Sequence, residues 1–317
     1  MDEEARLPVA IVTGFLGSGK TTLVNHILAH RTGRKIAVMV NEIGDIAIDT
    51  DLIIGAGDGM VELANGCICC SINNDLVDAI FRVLQREKQV EYLIVETTGL
   101  ADPLPIVLTF QRSEFREALR VDTIVALADA ENFSLDHFDS NAALNQLRYA
   151  DFVLLNKCDA VGPQKADAVE AKIRAIAERA RIVRTIRSQI PLPLILGAGL
   201  FRRDLRFDAH SHDHIAADGF DAVSFTSDRA FAAEAFQAFL ERLPENVFRA
   251  KGILTIDGSG GRHLFHLVGR RFTLDAAPTD LIGSRNRLVL IGQGLEAAQM
   301  RAQLAACLVM PVIPAPE

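Results

Sequence analysis

The chain has 317 residues, which is long for one ordinary domain and comfortable for two. Hydrophobic residues make up 49% and charged residues 23%, the mixture of a soluble globular protein. The net charge of −8 argues against nucleic acid or an anionic membrane surface as the main partner. No apolar run reaches the roughly 20 residues of a spanning helix, and the acidic N-terminus does not resemble a signal peptide, so we expect a cytoplasmic protein.

The first part of the chain alternates predicted strands with predicted helices. Apolar runs rich in β-branched residues predict strands at 8–13, 35–40, 91–96, 121–127 and 151–155, and two last strands at 182–186 and 192–196. Helical patterns fall between them at 21–30, 74–87 and 164–180. This alternation predicts an α/β domain with a mostly parallel sheet covered by helices on both faces.

Residues 201–219 interrupt that rhythm and predict a linker between two domains, at 1–200 and 220–317. The second domain shows strands near 222–225, 253–256, 263–268 and 287–291, and helices near 229–242 and 295–308. Strands that follow one another directly predict a smaller, antiparallel α+β domain. The linker carries His210, His212 and His214, which would share one side of an extended chain as a metal-loading site or form only a solvated segment.

A glycine-rich turn follows the first predicted strand. Residues 14–21 read Gly-Phe-Leu-Gly-Ser-Gly-Lys-Thr and match the phosphate-binding pattern Gly-x-x-x-x-Gly-Lys-Ser/Thr. In such a loop the backbone N–H groups surround the α- and β-phosphates, the lysine adds positive charge, and the threonine hydroxyl reaches Mg²⁺. The residues expected to bind nucleotide here are Gly14, Gly17, Ser18, Gly19, Lys20, Thr21 and Thr22.

A carboxylate ends the strand predicted at 91–96. Glu96 is followed by Thr-Thr-Gly, and we expect it to hold Mg²⁺ together with Thr21. The backbone N–H of Gly99 would meet the γ-phosphate, so Lys20, Glu96 and Gly99 are the candidate catalytic groups. Leu100 stands where Ras-like GTPases place a glutamine that orients the attacking water. The sequence therefore predicts slow intrinsic hydrolysis, and it does not identify the residue that positions the water.

A second motif selects the base. Asn156, Lys157 and Asp159 form the pattern Asn-Lys-x-Asp directly after the strand predicted at 151–155. An aspartate there accepts hydrogen bonds from the N1–H and exocyclic amine of guanine, whereas adenine presents the wrong pattern. We therefore expect GTP and GDP to be the nucleotides.

Three of the five cysteines, Cys67, Cys69 and Cys70, lie within four residues. In a reducing compartment such a cluster indicates a thiolate metal site for Zn²⁺, Cu(I) or, less exclusively, Co²⁺ or Ni²⁺, with a redox pair or ordinary packing as alternatives. Flanking Gly66 and Ser71-Ile72-Asn73-Asn74 predict an exposed loop. Glu42 follows the second predicted strand and would be either a fourth ligand or a solvated glutamate.

These motifs together resemble the CobW family of P-loop GTPases. The matching segments are Gly-Phe-Leu-Gly-Ser-Gly-Lys-Thr-Thr (14–22), Val-Asn-Glu-Ile-Gly-Asp (40–45), Gly-Cys-Ile-Cys-Cys (66–70), Glu-Thr-Thr-Gly-Leu-Ala-Asp-Pro (96–103) and Asn-Lys-Cys-Asp (156–159). Residues 249–254 and 287–292 resemble the family's C-terminal domain. The family usually has Phe and Glu where this chain has Ile43 and Asp45, which puts a metal role for Asp45 in doubt.

The resemblance implies a GTP-dependent metallochaperone that delivers Zn²⁺ or Co²⁺ to a client metalloprotein, or else an activator of a metalloenzyme such as nitrile hydratase. The alternatives are a metal buffer or sensor with a structural nucleotide, and a thiol redox protein. We expect no nucleic-acid or membrane partner. The sequence leaves the metal, the client and the oligomeric state open, a homodimer included.

Overall fold

The structure is a computed structural model that describes residues 6–30, 35–40, 60–62, 68–85, 90–134, 141–196, 221–277 and 285–309. For residues 60–62, 68–75 and 141 it describes the backbone alone. The chain divides into two compact units, with the change between residues 199 and 200.

The N-terminal unit is built on a parallel sheet. Its seven strands within the described residues are β1 (Leu7–Gly14), β2 (Ile36–Val40), β3 (Met60–Glu62), β4 (Tyr92–Glu96), β5 (Leu119–Asp129), β6 (Phe152–Asn156) and β7 (Arg181–Arg184). They lie in the order β3-β2-β4-β1-β5-β6-β7, and every pairing is parallel. The prediction of a mostly parallel sheet is confirmed, and β1 at its centre carries the phosphate-loop sequence at its carboxyl end.

The connecting helices are α1 (Lys20–Ala29), α2 (Ile68–Gln85), α3 (Leu104–Phe110), α4 (Asn141–Arg148), α5 (Pro163–Ile176) and α6 (Leu192–Ile195). Every residue of β1, β2, β4 and β6 is buried, as expected for strands covered on both faces. Side chains of α2 and α3, among them Ile80 and Phe110, pack on one core cluster. Leu147 of α4 and Ile173 of α5 pack on another.

Two local predictions were wrong, and three elements were not predicted. Residues 192–196 were expected to be a strand, but Leu192–Ile195 is a short helix, because Pro193 has no N–H to donate to a sheet. The helix predicted to begin at residue 74 begins at Ile68, so Cys69 and Cys70 lie in its first turn rather than in a loop. Helices α3 and α4 and strand β3 were not predicted.

The C-terminal unit is an antiparallel sheet with two described helices. Its strands are β8 (Asp221–Ser227), β9 (Val247–Thr255), β10 (Arg262–Val268), β11 (Arg271–Ala276) and β12 (Asn286–Gly292), in the order β11-β10-β9-β12-β8. Helices α7 (Ala233–Glu241) and α8 (Ala297–Ala306) pack on the sheet through a core that contains Phe231, Phe236 and Leu304. The predicted α+β class is confirmed, although the edge strand β11 was not predicted.

The described residues contain no helix that is both long enough and apolar enough to cross a membrane.

Candidate nucleotide site

The candidate site lies at the carboxyl edge of the parallel sheet. The strand order places β1 between β4 and β5, with β6 next to β5. The loops that follow these strands therefore meet at one edge, where ligands bind in open parallel sheets. Three of the motifs predicted from the sequence follow β1, β4 and β6.

The loop after β1 adopts a conformation that requires two of its glycines. Gly14 has φ 136°, and a Cβ there would collide with the Leu127 carbonyl oxygen of β5. Gly19 has φ 107°, and a Cβ there would collide with the side chains of Asn156 and Ser188. Only glycine fits both the left-handed backbone and the space at these two positions. The loop therefore passes close to β5, Asn156 and Ser188, and α1 begins directly after Gly19, at Lys20.

The lysine of the loop is buried, and the threonine after it contacts a carboxylate. The Lys20 ammonium donates to the carbonyl oxygens of Gly14 and Phe15 at 3.0 and 3.2 Å, and the residue is only 8% exposed. The Thr21 hydroxyl donates to Glu96 Oε1 at 3.1 Å, across 75 positions of sequence. A threonine hydroxyl beside a carboxylate is an oxygen donor set that suits Mg²⁺. Thr22 follows on α1 with an exposed side chain.

Two buried hydroxyls at this edge have no hydrogen-bond partner among the described residues. They belong to Ser18, in the loop after β1, and Thr98, after β4. A buried polar group without a partner costs about 1–3 kcal/mol, so native proteins rarely leave one. Phosphate oxygens at this edge would accept from both hydroxyls, so the residues present fit a phosphorylated ligand.

The loop after β4 is held against the loop after β1 and against α4. Gly99 lies so close to the backbone and side chain of Leu16 that a Cβ would clash with both. The carbonyl oxygens of Gly99 and Ala101 both accept from the side-chain amide of Gln146, at 3.1 and 2.9 Å. Gln146 is 1% exposed. Sequence reasoning missed it, because an isolated glutamine beside Leu147 carries no signal of a contact across more than 40 positions.

Asn156 connects three loops. Its amide nitrogen donates to the Ser18 carbonyl and to Ser188 Oγ, both at 2.9 Å. Its amide oxygen accepts from the backbone N–H of Ser188 at 2.8 Å and from the Thr185 hydroxyl at 3.2 Å. An asparagine amide has two N–H donors and two lone pairs, so protein partners use all four. The sequence predicted Asn156 as a nucleotide contact, whereas its contacts here position the loops that would form the site.

Lys157 and Asp159 follow β6 in the chain. The Lys157 ammonium lies 2.8 Å from Asp129 Oδ2, at the end of β5. Burial raises the pKa of Asp129, but hydrogen bonds from Lys157, Asn132 and two backbone N–H groups outweigh it and leave the pKa below its ordinary value. Asp159 is exposed, as a carboxylate that receives a base from solvent must be. Burial raises the pKa of the Cys158 thiol, which donates to the Leu155 carbonyl.

A cavity of about 240 Å³ adjoins these loops. Its lining residues come from the loop after β1, the end of β5 and the segment beyond it, helix α4, and the Asn-Lys-Cys-Asp motif. They are Phe15, Leu16, Gly17, Leu127, Ala128, Asp129, Asn132, Phe133, Ser134, Gln146, Leu147 and Lys157. The cavity thus joins the predicted phosphate loop to the predicted base-recognition motif.

The predicted transition-metal site lies outside what the structure describes. Glu42, Ile43, Asp45, Cys67 and the three histidines of residues 210–214 are outside the described residues, and the first turn of α2 is described by its backbone alone. Among the described side chains, no three His, Cys, Asp or Glu residues are grouped as a metal site would require.

The fold and the loops at the carboxyl edge of its parallel sheet together define a P-loop nucleotide-binding protein. The family model for the CobW/HypB/UreG nucleotide-binding domain matches residues 8–184, and the model for the cobalamin synthesis protein cobW C-terminal domain matches residues 220–308. The chain therefore belongs to the CobW family.

The chain is similar to several characterised relatives. It is 34% identical to the zinc chaperone CobW of Pseudomonas aeruginosa, over 96% of this chain and 92% of that protein. It is 32% identical to the zinc chaperone YjiA of Escherichia coli, over 94% of this chain and 98% of that protein. The crystal structure of Zn(II)-bound YjiA GTPase from E. coli aligns over 95% of this chain and 99% of that one, with 26% identity and a TM-score of 0.48.

A third relative is described as a metalloprotein activator rather than as a zinc chaperone. The zinc-regulated GTPase metalloprotein activator 1 of Dictyostelium discoideum is 35% identical over 62% of this chain, which spans only 49% of that protein.

Proposed function

We propose that this protein is a GTP-dependent zinc metallochaperone, which holds Zn²⁺ while GTP is bound and transfers it to a client metalloprotein after hydrolysis. One observation carries the nucleotide half of the proposal: the phosphate loop, Glu96 and the Asn-Lys-Cys-Asp motif lie at one sheet edge, where Asn156 donates to the Ser18 carbonyl and Thr21 donates to Glu96. The zinc half rests on the similarity to relatives described as zinc chaperones and on the cysteine cluster.

The roles of the site residues follow from their chemistry. The Lys20 ammonium would exchange its carbonyl acceptors for β- and γ-phosphate oxygens, and N–H groups of residues 14–22 would bind the remaining oxygens. Mg²⁺, when bound, neutralises phosphate charge, and Thr21 and Glu96 would hold it. Gly99 N–H would contact the γ-phosphate, and Asp159 would accept from guanine.

The zinc ligands proposed are Cys67, Cys69 and Cys70, with Glu42 as a fourth. Cys158 and Cys307 are poorer candidates, because burial raises the pKa of both thiols and each donates a hydrogen bond to a carbonyl oxygen within its own unit. Zinc binds the thiolate, so a thiol that resists deprotonation binds it weakly. Co²⁺ suits the same ligands and remains the second candidate cargo.

The nucleotide and the zinc would be coupled through neighbouring strand ends. Glu96 ends β4, and β2, which leads into residue 42, pairs with β4 at Val40↔Glu96. A γ-phosphate that orders the loop after β4 would therefore act beside the proposed zinc ligand Glu42. Loss of that phosphate would relax the loop and favour release of the ion.

Zinc binding and GTP hydrolysis by variants of the whole protein test the proposal. We expect Cys69→Ser to lose tight zinc binding and Cys307→Ser, the matched control, to keep it. We expect Asp159→Ala to lose the preference for guanine over adenine nucleotides. Zinc affinity unchanged by Cys69→Ser, or a disulfide in place of metal in the purified protein, would contradict the zinc assignment and favour a redox function.

A further inference from the structure

The loop after β4, defined here as residues 97–103, has a second support that the sequence motifs do not include. Helix α4 presents two consecutive amide side chains to this loop. Gln146 donates to Gly99 O at 3.1 Å and to Ala101 O at 2.9 Å. Asn145 donates to Asp102 Oδ2 at 2.7 Å, and Asp102 Oδ1 accepts from Leu104 N, where α3 begins, at 2.9 Å.

Gln146 uses both of its amide hydrogens on this loop. A primary amide has two N–H donors, and the two carbonyl oxygens that flank Leu100 take one each. Because Gln146 is 1% exposed, its amide is shielded from water while the loop is in place, and movement of the loop would break both bonds together. The loop is thus held at the carbonyl of Gly99, the residue whose N–H would meet a γ-phosphate.

The other side of the same loop is fixed by the phosphate loop. A Cβ on Gly99 would come within 2.6 Å of the Leu16 backbone nitrogen, so Gly99 is confined between residue 16 and Gln146. Gln146 also lines the cavity that Lys157 of the base-recognition motif lines. One buried side chain therefore contacts the loop after β4 and lines the same cavity as the base-recognition motif.

We infer that Gln146 is the positioning residue that holds the loop after β4 in the conformation that binds a γ-phosphate, and so sets the preference for GTP over GDP. The inference rests on the proposed function. GDP has no γ-phosphate, so its affinity does not depend on where the Gly99 N–H lies. GTP gains that contact only in the fraction of molecules whose loop is in place, and its apparent affinity falls with that fraction.

Asn145 has a smaller share in the same role. Its bond to Asp102 links α4 to the start of α3 and holds the far end of the loop. Asn145 donates one hydrogen bond here, to Asp102, which lies three positions after Gly99. Replacing Asn145 therefore leaves the contacts of Gln146 with Gly99 and Ala101 in place.

The test measures the affinities of the full-length protein for a non-hydrolysable GTP analogue and for GDP, both with Mg²⁺. Gln146→Leu keeps much of the volume and removes both donors. We expect the GTP-over-GDP affinity ratio to fall about 10- to 30-fold, the size of two ordinary hydrogen bonds, with GDP affinity changed less than about twofold. Arg148→Ala, an exposed position on the same helix, is the matched control and should keep the wild-type ratio.

A pH profile separates positioning from general structural damage. Gln146→Glu has the same shape but faces both carbonyls with acceptors, and burial raises the pKa of the introduced carboxyl. When protonated, that group donates one hydrogen bond. We expect the affinity ratio of this variant, relative to wild type, to recover partly between about pH 8 and pH 6. A purely structural lesion would lower both affinities and show no such recovery.

The possible results decide the question. Should Gln146→Leu fail to fold in a thermal unfolding assay, Asn145→Ala provides the second variant, with an expected loss of about threefold in the ratio. A ratio unchanged in the folded variants, or equal losses for GTP and GDP, overturns the inference alone. Wild-type protein that binds no guanine nucleotide overturns the proposed function, and the inference with it.

Discussion

Replacing Asn156 and Asp159 separately should divide the Asn-Lys-Cys-Asp motif into a structural part and a recognition part. Asn156 is 2% exposed, and its four hydrogen bonds join the phosphate loop, β6 and residues 185–188. Asp159 is exposed, two residues beyond Lys157. The two substitutions should therefore change different quantities, although both lie in one four-residue motif.

The magnitudes follow from the contacts. Each ordinary hydrogen bond contributes about 0.5–1.5 kcal/mol, so Asn156→Ala should lower the free energy of unfolding by about 3 kcal/mol. For a unit of this size that corresponds to about 6–12 °C in the melting temperature. Asp159→Asn at an exposed position should stay within about 0.5 kcal/mol of wild type.

The nucleotide affinities should show the opposite pattern. Asp159→Asn replaces an acceptor with a donor, which suits the carbonyl of xanthine better than the amine of guanine. We expect its preference to shift toward xanthosine diphosphate, with GDP affinity about 10- to 100-fold weaker, the cost of a mismatched buried polar contact. Asn156→Ala should weaken binding of all nucleotides alike.

Thermal unfolding and competitive nucleotide binding on the two variants measure these quantities side by side. An Asn156→Ala protein with wild-type stability would contradict the role we assign to its hydrogen bonds. An Asp159→Asn protein that keeps its preference for guanine would contradict the assignment of base recognition.

Two further predictions concern the same loops. Gly19→Ala should lower stability by more than about 1 kcal/mol and weaken nucleotide binding, because the Cβ meets Asn156 in a left-handed backbone. Gly162→Ala has open space and φ −73° but replaces the N-cap of α5, so it should cost only about 0.5 kcal/mol and leave nucleotide binding unchanged. Thermal unfolding with and without GDP checks both, and equal effects would refute the steric argument. The pKa of Asp129 lies below its ordinary value of 3.8, so the pair with Lys157 should stabilise the fold above that pH and lose its effect as the pH falls through the lowered pKa. The free energies of unfolding of the wild-type protein and of the reference variant Asp129→Asn, measured against pH, should converge in acid. A difference between them that stays constant with pH would contradict this prediction.

The sequence predicted the strands and loops that carry the nucleotide motifs, because phosphate binding imposes a fixed local spacing on glycines, lysine and threonine. The loop sequence at 14–21 and the strand before it lie as expected, and so does Glu96 at the end of β4. The hydrogen bond between Thr21 and Glu96 brings together the two residues expected to hold Mg²⁺, and that role stays a prediction.

Other features depend on contacts that no local pattern records. Gln146 meets Gly99 across 47 positions, and nothing in the residues around it distinguishes it from a surface glutamine. The apolar composition of residues 192–196 predicts a strand, but Leu192–Ile195 is a short helix because Pro193 has no N–H to donate to a sheet. The polar residues 71–74 suggested a loop, yet α2 begins at Ile68, and tertiary packing outweighs such weak preferences.

The zinc affinity of the protein with Mg²⁺–GTP and with Mg²⁺–GDP is the measurement that tests the central claim most directly. We predict that zinc binds at least about 10-fold more tightly in the GTP state than in the GDP state, and that zinc tightens GTP binding relative to GDP binding by the same factor. The Cys69→Ala variant should show no such difference. Equal zinc affinities with GTP, with GDP and without nucleotide would contradict a metallochaperone gated by GTP.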